Sequence, residues 1–336
     1  MRSAKRAFLT AKHDRPNAEQ ADVNYRIMGN FRIAPVLCAC LVVVLFFTNA
    51  RAGSMPVSAP RTIKSTMRQS VDGDGYGGEG FTVRPLLDER PLATAIIIHG
   101  LGGTGEEWGI MSLGMSVFSL NYVKFIIPSA ETKPVTYLNT TIPSWFDIRR
   151  IQGTNSDVDE KDLRQSVDRI NRIIDGEVRA GVPAERIFIV GFSQGGALAL
   201  TTFLRSKRKL GGCVGVATWL PLHNSYAPFG PEPVSENVKG NKILMIHGTE
   251  DEAVDFRYGR LSKDRLTDIG VPVKFTSIQG APHVILSADV IRFIEDYIAS
   301  KATGTRNFLR TLVSDLTITF GRLSNRLSER ELIPIP

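Results

Sequence analysis

Short apolar runs alternate with amphipathic stretches along the middle of the chain. The strand-like runs cover residues 93–98, 123–127, 186–190, 212–218, 242–247 and 273–278. The clearest amphipathic stretch is 160–179, and further helical patterns cover 194–207, 256–268 and 287–300. In the first of these helices, apolar side chains recur on one face: Leu163, Val167, Ile170, Ile174 and Val178. This alternation predicts an α/β fold with a mostly parallel central sheet and helices on both faces.

One strand-to-helix junction carries a candidate nucleophile. The segment Gly191-Phe192-Ser193-Gln194-Gly195 lies between the apolar run 186–190 and the next helical pattern. Glycines on both sides of a serine permit a sharp, crowded turn, and the context of strand, turn and helix is that of a nucleophile elbow. A loop of small residues would have the same letters, but the flanking elements favour the elbow.

A serine nucleophile needs a base, and the base needs an acid that orients it. Of the five histidines, only His223, His247 and His283 follow Ser193, and His283 is the best placed because it lies in a loop just after a late strand. Asp251 is the preferred acid, since it follows another strand between the serine and the histidine. The competing acids are Glu250, Glu252 and Asp255, and a loop aspartate also serves often as a helix cap.

The first strong strand runs into a glycine-rich loop. Residues 99–105 read His-Gly-Leu-Gly-Gly-Thr-Gly, and Thr104 with Glu107 fits a capping box at the start of a helix. The loop lacks both the Lys-Ser/Thr of a phosphate-binding loop and the G-x-G-x-x-G spacing of a dinucleotide site. We therefore predict an oxyanion loop, with the backbone N–H groups of Leu101 and Gln194 as donors.

These motifs resemble the acyl-protein thioesterase and lysophospholipase family, the phospholipase/carboxylesterase group of α/β-hydrolases. Besides the segments already quoted, the resemblance rests on Pro-Ser-Trp-Phe-Asp-Ile at 143–148, Trp-Leu-Pro at 219–221 and His-Gly at 247–248, in family order over residues 80–300. It implies a triad of Ser193, Asp251 and His283, and oxyanion donors at Leu101 and Gln194.

The chain departs from the family's pattern in its loops. Gly103 and Thr249 stand where the family usually has aspartate, and neither position is a triad member. The resemblance also places Trp145 near the mouth of the acyl site, as a candidate substrate contact. An ordinary core aromatic is the alternative for Trp145, and a turn or cap residue is the favoured interpretation of Asp147.

The predicted activity is hydrolysis of acyl thioesters, of the palmitoyl-protein type, through an acyl-serine intermediate. A carboxylesterase or lysophospholipase acting on small esters or lysolipids is the alternative, because both would use the same acyl-serine. A non-catalytic module that binds lipid or a partner is a third hypothesis, and the complete set of triad residues speaks against it. The expected partner is an acylated protein or lipid. The sequence shows no cofactor motif and no metal-ligand spacing.

Charge is concentrated at the two ends of the 336-residue chain. Residues 1–52 hold eight Lys/Arg against three Asp/Glu, and residues 301–336 hold six against three, whereas the rest holds 27 against 28. A nearly neutral body speaks against a nucleic-acid groove, which needs clustered basic residues. Basic ends favour contact with a membrane surface or a role in targeting.

The first 52 residues are predicted to be an N-terminal arm with a signal peptide or signal-anchor. An apolar stretch at 33–47 follows Arg26 and Arg32 and precedes Ala50-Arg51-Ala52, which resembles a cleavage site. At fifteen residues it is shorter than the about twenty that a spanning helix needs. Entry into the secretory pathway or membrane attachment is expected, and a start at Met55 would instead give a cytoplasmic enzyme.

Three further segments complete the predicted organisation. A linker covers 53–79, the catalytic domain covers 80–300, and an amphipathic or partly disordered tail covers 301–336. Apolar residues recur in the tail at three- and four-residue steps among five arginines. The sequon at Asn139 would accept a glycan in a lumenal protein.

Overall fold

The computed structural model describes residues 67–69, 79–85, 91–150, 157–284 and 287–302. The predicted N-terminal arm, most of the linker and the tail from residue 303 lie outside these ranges. Within the ranges, none of the helices combines the length and the apolarity required to cross a membrane.

An eight-stranded sheet forms the centre of the molecule, in the order β1-β2-β4-β3-β9-β10-β11-β12. Its strands are β1 (Met67–Gln69), β2 (Gly80–Val83), β3 (Ala93–Ile98), β4 (Val123–Pro128), β9 (Ile187–Phe192), β10 (Gly212–Val216), β11 (Ile243–Gly248) and β12 (Val273–Ile278). From β4 to β12 all neighbours are parallel, and β1 and β2 are added antiparallel. The predicted mostly parallel sheet is therefore confirmed.

Two small hairpins lie between β4 and the next long helix. One pairs β5 (Thr132–Val135) with β6 (Thr140–Pro143), and the other pairs β7 (Ile148–Arg150) with β8 (Asp157–Val158). The sequence pattern did not predict them, because four short strands with mixed burial leave no clear period-2 signal.

Five helices flank the sheet: α1 (Gly105–Phe118), α2 (Glu160–Arg179), α3 (Gln194–Leu204), α4 (Phe256–Asp268) and α5 (Ala288–Ala302). The prediction for 160–179 and the capping box of Thr104 and Glu107 are both confirmed. The predicted strand 212–218 instead ends at Val216, since Ala217 has a φ of 48° that turns the chain. The predicted helix 194–207 ends at Leu204.

Buried side chains pack on both faces of the sheet. One layer joins α2 and α3 to alternate residues of the central strands, including Ile96, Ile189 and Met245. The other layer packs α1 and α5 against the opposite faces of the same strands. Every residue of α3 is buried, which is why its sequence lacks a polar face. The core thus fixes the carboxyl ends of β3, β9, β10, β11 and β12 along one edge.

The packing of α2 gives a test of the core. Ile170 is fully buried in the first layer, whereas Asp168 on the same helix is exposed. We expect Ile170→Ala to lower the free energy of unfolding by about 2–5 kcal/mol, because it removes apolar contacts and leaves a cavity. Asp168→Ala should change it by less than about 0.5 kcal/mol. Urea denaturation of both variants measures this, and equal effects would contradict the assigned packing.

Candidate active site

A strained turn presents Ser193 at the end of β9. The serine has a φ of 52° and a ψ of −121°, and its N–H donates to the carbonyl of Val216, 2.9 Å away. A Cβ on Gly191 would lie 2.2 Å from the carbonyl oxygen of Gly195, and a Cβ on Gly195 would lie 2.2 Å from that of Ile98. Only glycine fits at either position, so the turn depends on both. This is the geometry of the predicted elbow.

Ser193, His283 and Asp251 form one chain of contacts. His283 Nε2 lies 3.0 Å from Ser193 Oγ, and His283 Nδ1 lies 2.9 and 2.8 Å from the two carboxylate oxygens of Asp251. All three residues are buried. Because a carboxylate only accepts, Nδ1 of the neutral imidazole carries the proton and Nε2 is left to accept from the serine hydroxyl. The structure thus brings together the three residues predicted as a triad, although they are 58 and 32 positions apart.

The Asp251 carboxylate is held by several donors. Burial alone would raise its pKa, but side-chain hydrogen bonds from His247 and His283 and the backbone N–H of Val254 lower the pKa to about 2. Its Oδ1 accepts from the N–H groups of Ala253 and Val254, 3.0 and 2.7 Å away. The group is therefore an anion at neutral pH and can stabilise a positive charge on His283.

The loops that carry Asp251 and His283 are bonded to each other. Thr249 Oγ1 accepts from the N–H of Gly280 at 2.8 Å, and the N–H of Glu250 donates to Ala281 at 3.1 Å. Gly280 has a φ of 68°, which a side chain rarely adopts. Thr249, a departure from the family's pattern, thus supplies a contact between these two loops.

The other candidate acids and bases have different contacts. Glu252 accepts from the backbone N–H of His283 at 3.2 Å, and Asp255 caps α4 by accepting from Arg257. Glu250 is exposed. His223 lies in a short 3-10 turn, where burial lowers its pKa. His247 contacts Asp251, which the sequence analysis did not foresee.

The predicted oxyanion loop lies against the elbow. A Cβ on Gly100 would lie 3.3 Å from Ser193 Cβ and 2.9 Å from the Phe192 ring. The N–H group of Gly102 donates to the carbonyl of Pro143, and that of Gly103 donates to the carbonyl of Gly100. By contrast, the N–H groups of Leu101 and Gln194 have no acceptor within the described ranges, and that of Gln194 begins α3. Both are thus available to a bound oxyanion, and the helix dipole favours negative charge at Gln194.

His99 anchors this loop, and the sequence analysis gave it no role. Its Nδ1–H donates to Gly100 at 2.7 Å, and its Nε2 accepts from the N–H of Ala130 at 3.0 Å. Burial lowers the pKa of His99 to about 4, so the ring is neutral at physiological pH. Its position directly before the glycine-rich loop was the signal that could have indicated an anchor.

The Gln194 side chain was also missed. Its amide accepts from the N–H of Trp145 at 3.0 Å and donates to Ser144 Oγ and the Phe146 carbonyl at 3.0 and 2.7 Å. Gln194 therefore joins the elbow to segment 144–146. The available signal was a glutamine directly after Ser193, at the start of a helical pattern that is otherwise largely apolar.

Trp145 lies beneath the site and does not line it. The side chain is 1% exposed, and its Nε1–H donates to the carbonyl of His99 at 2.9 Å. Trp145 is therefore a core aromatic, which was the alternative interpretation from the sequence, and it is not a wall of the groove. Asp147 accepts from the N–H and the hydroxyl of Thr136, both at 2.7 Å, which is the turn-capping contact favoured from the sequence.

A groove opens over Ser193 and His283. Its empty space, including the open mouth, is about 410 Å³. Apart from the site residues its walls are largely apolar and come from the oxyanion loop, the β5–β6 hairpin, β7, the end of β10 and the acid loop: Leu101, Tyr137, Leu138, Ile148, Trp219 and Val254. Asn139, the sequon residue, is exposed beside Leu138. The surface next to the serine is thus apolar.

Curated relatives share the catalytic part of the chain. Acyl-protein thioesterase 1 of Cryptococcus neoformans is 36% identical over 211 residues, covering 58% of this chain and 87% of the relative. Acyl-protein thioesterase 1 of Neurospora crassa is 35% identical over 218 residues, covering 63% of this chain and 88% of the relative.

Solved structures agree with the fold. SOBER1 of Arabidopsis thaliana is 31% identical with a TM-score of 0.57, covering 62% of this chain and 98% of that one. Acyl-protein thioesterase 2 of Zea mays, at 23% identity and a TM-score of 0.57, covers 66% of this chain and 99% of that one and supports the fold alone.

The match to a family model covers most of the described structure. The phospholipase/carboxylesterase model aligns with residues 87–301, which include the elbow, the glycine-rich loop and the loops of Asp251 and His283. Together with the identity to the thioesterase relatives, this confirms the resemblance seen in the motifs: the chain belongs to the phospholipase/carboxylesterase family of α/β-hydrolases.

Proposed function

We propose that this protein hydrolyses long-chain acyl thioesters on proteins, through an acyl-serine intermediate at Ser193. The observation that carries the proposal is the continuous contact from Ser193 through His283 to Asp251 beneath an apolar groove. The names of the curated relatives, acyl-protein thioesterase 1, support the choice of thioester.

The proposed chemistry begins at the serine hydroxyl. His283 Nε2, 3.0 Å from Ser193 Oγ, takes the hydroxyl proton as the oxygen attacks the acyl carbonyl. Asp251 holds the ring by Nδ1 and stabilises the imidazolium that forms. His283 then gives the proton to the departing thiolate. In the second half, the same nitrogen takes a proton from a water molecule as the water oxygen attacks the acyl carbon. His283 then returns that proton to Ser193 Oγ as the bond to the acyl group breaks, and the acyl group leaves as a carboxylic acid.

The oxyanion would be stabilised by the backbone. The unpaired N–H groups of Leu101 and Gln194 flank Ser193, and a tetrahedral oxygen is the charge that they can accept. His99 and the Gln194 amide keep both segments in place, through Gly100 and Trp145 respectively. The donors are therefore oriented before substrate binds, which is what makes such stabilisation effective.

We also propose that the basic ends bring the chain to a membrane surface, where lipid-modified proteins are found. Six basic residues stand against three acidic ones in 301–336. The full-length chain should then co-sediment more strongly with vesicles containing anionic lipid than with neutral vesicles. Replacing Arg322, Arg326 and Arg330 by glutamine should weaken that difference by roughly 1 kcal/mol for each arginine close to the surface. Equal sedimentation with both vesicle types would refute this part of the proposal.

The triad roles are tested by two variants. Ser193→Ala should lower kcat on the order of a millionfold, because no nucleophile remains. Asp251→Asn keeps the shape of the side chain but loses its charge, and we expect a loss of about ten-thousandfold. Hydrolysis of a palmitoylated peptide measures both, with thermal unfolding as the control for folding. A Ser193→Ala variant with near-normal turnover would overturn the proposal.

Substrate choice needs a direct comparison. A palmitoylated peptide, a lysophospholipid and a short-chain ester should be hydrolysed in that order of kcat/KM by the same purified protein. Preference for the ester or the lysolipid would instead assign carboxylesterase or lysophospholipase activity. No turnover of any of them, with no labelling by a fluorophosphonate, would favour a non-catalytic binding module.

The groove predicts a chain-length effect. Leu138→Trp should fill part of the groove and lower kcat/KM for a palmitoyl substrate by tenfold or more, on the order of 1–3 kcal/mol, with little effect on an acetyl ester. The matched control is Thr141→Trp, at an exposed position of β6 in the same hairpin. If the two variants had the same chain-length profile, the groove would not be where the acyl chain binds.

A further inference from the structure

Asp251 contacts a second imidazole besides that of His283. His247 is the fifth residue of β11 and is 1% exposed. Its Nε2 lies 3.1 Å from Asp251 Oδ2 and 2.7 Å from the carbonyl oxygen of Val254. The carboxylate therefore lies between two histidines, of which the mechanism above uses only one.

We propose that His247 is a positioning residue for the reaction, whose Nε2–H fixes the Asp251 carboxylate and limits its basicity toward His283. The inference rests on the proposed function, because it assigns His247 a part in the same triad. His247 itself touches neither Ser193 nor the groove.

The surroundings of His247 determine which nitrogen carries its proton. Both groups next to Nε2, a carbonyl oxygen and a carboxylate oxygen, can only accept, so Nε2 is the donor. Nδ1 is buried and has no hydrogen-bond partner in the described part of the chain. A Cβ on Gly259 would lie 2.3 Å from Nδ1, so α4 closes off that side with backbone. The ring thus has one donor, Nε2–H, which it shares between the Val254 carbonyl at 2.7 Å and the Asp251 carboxylate at 3.1 Å.

This donor completes the set around the carboxylate. Asp251 accepts from the N–H groups of Ala253 and Val254 and from the ring of His283. The His247 Nε2–H donates to the Val254 carbonyl at 2.7 Å and lies 3.1 Å from Asp251 Oδ2, so that it is shared between the two acceptors. The Val254 peptide links the two sides, since its N–H binds Asp251 while its carbonyl accepts from His247. The ring therefore holds both the acid and the loop that carries it, so that both oxygens stay near His283 Nδ1.

A hydrogen-bond donor to the Asp251 carboxylate also changes how strongly the carboxylate stabilises a proton on His283. Each hydrogen bond to the ionised form draws charge away from the oxygens, which weakens their pull on the His283 proton. Without the His247 donor, the anion would stabilise the imidazolium more strongly, and protonated His283 cannot accept from Ser193. The acid limb of the pH–rate profile should then move to higher pH.

Few other charges face this pair. On the acid loop, Glu252 binds the backbone N–H of His283, and Glu250 is exposed. At the start of α4, Asp255 and Arg257 pair with each other at 2.6 Å. Phe256 places its ring edge-on to His247, 5.8 Å between centroids. Within the described ranges, His247 and His283 are thus the two side chains that lie within hydrogen-bonding distance of the Asp251 carboxylate.

The test compares two substitutions of similar size. His247→Leu removes the donor, whereas His247→Gln keeps an N–H near the Nε2 position. We expect the leucine variant to lose tenfold or more in kcat with little change in KM, and its acid limb in kcat/KM to move to higher pH. The glutamine variant should keep kcat within about threefold of the unchanged protein and restore the acid limb, since its amide still donates to the carboxylate.

Two outcomes would overturn the inference. Equal losses in both variants with an unmoved acid limb would show that the ring only packs. Wild-type kcat and an unmoved limb in the leucine variant would show that the contact has no effect on the reaction.

A measurement on the unmutated protein covers the case in which the leucine variant does not fold. In nuclear magnetic resonance of protein with nitrogen-15 histidine, His247 should carry its proton on Nε2 and none on Nδ1. His99 is the internal reference, because its contacts require the opposite tautomer. A proton on Nδ1 of His247 would overturn the inference. If Ser193→Ala kept activity, the proposed function would fail, but this resonance would still report which nitrogen of His247 carries the proton.

Discussion

The sharp turn at Ser193 is the constraint on which the rest of the site depends. A non-glycine residue with a positive φ is costly, and it persists only when surrounding contacts leave no alternative. Here the contacts come from three sides: the Ser193 N–H binds Val216, the Thr218 hydroxyl binds the Ser193 carbonyl, and β3 lies too close to Gly195 for any side chain. The parallel sheet supplies this rigidity, because β3, β9 and β10 are adjacent and buried on both faces. The strained turn is thus stabilised by the whole core, and it holds the hydroxyl where His283 can reach it.

The part of the site around Asp251 has to stabilise a buried negative charge. Desolvation disfavours the Asp251 anion, and the protein compensates with backbone and imidazole donors arranged around one short loop. The same loop is bonded to the loop of His283 through Thr249 and Glu250. Asp251 and His283 are therefore held relative to each other by contacts that do not involve Ser193. The oxyanion side is built likewise, with His99 and Gln194 ordering the segments that present free N–H groups.

The sequence was informative where a clear strand pattern runs directly into a loop that carries a candidate site residue. Buried parallel strands are continuous apolar runs, so β3, β9 and β11 could be placed within one or two residues, and parallel order then predicts which loops meet at one edge. The sequence was uninformative where the role of a residue depends on which atoms its side chain contacts in the folded protein. Nothing in the letters separates His247, a donor to Asp251, from His99, an anchor of the other loop, since both end a strand before a glycine. Trp145 likewise could not be assigned to wall or core, because its burial depends on the short hairpins, whose pairing is decided by tertiary contacts.

The central claim is that the environment of Ser193 makes its hydroxyl a nucleophile. The most direct measurement is mass-spectrometric mapping of the covalent adduct formed by a fluorophosphonate reagent across pH. The account predicts one adduct per chain, on Ser193, at a rate that falls as His283 becomes protonated and that collapses in a His283→Ala variant. An adduct on another residue, or turnover of substrate by a protein whose Ser193 stays unmodified under saturating reagent, would contradict it.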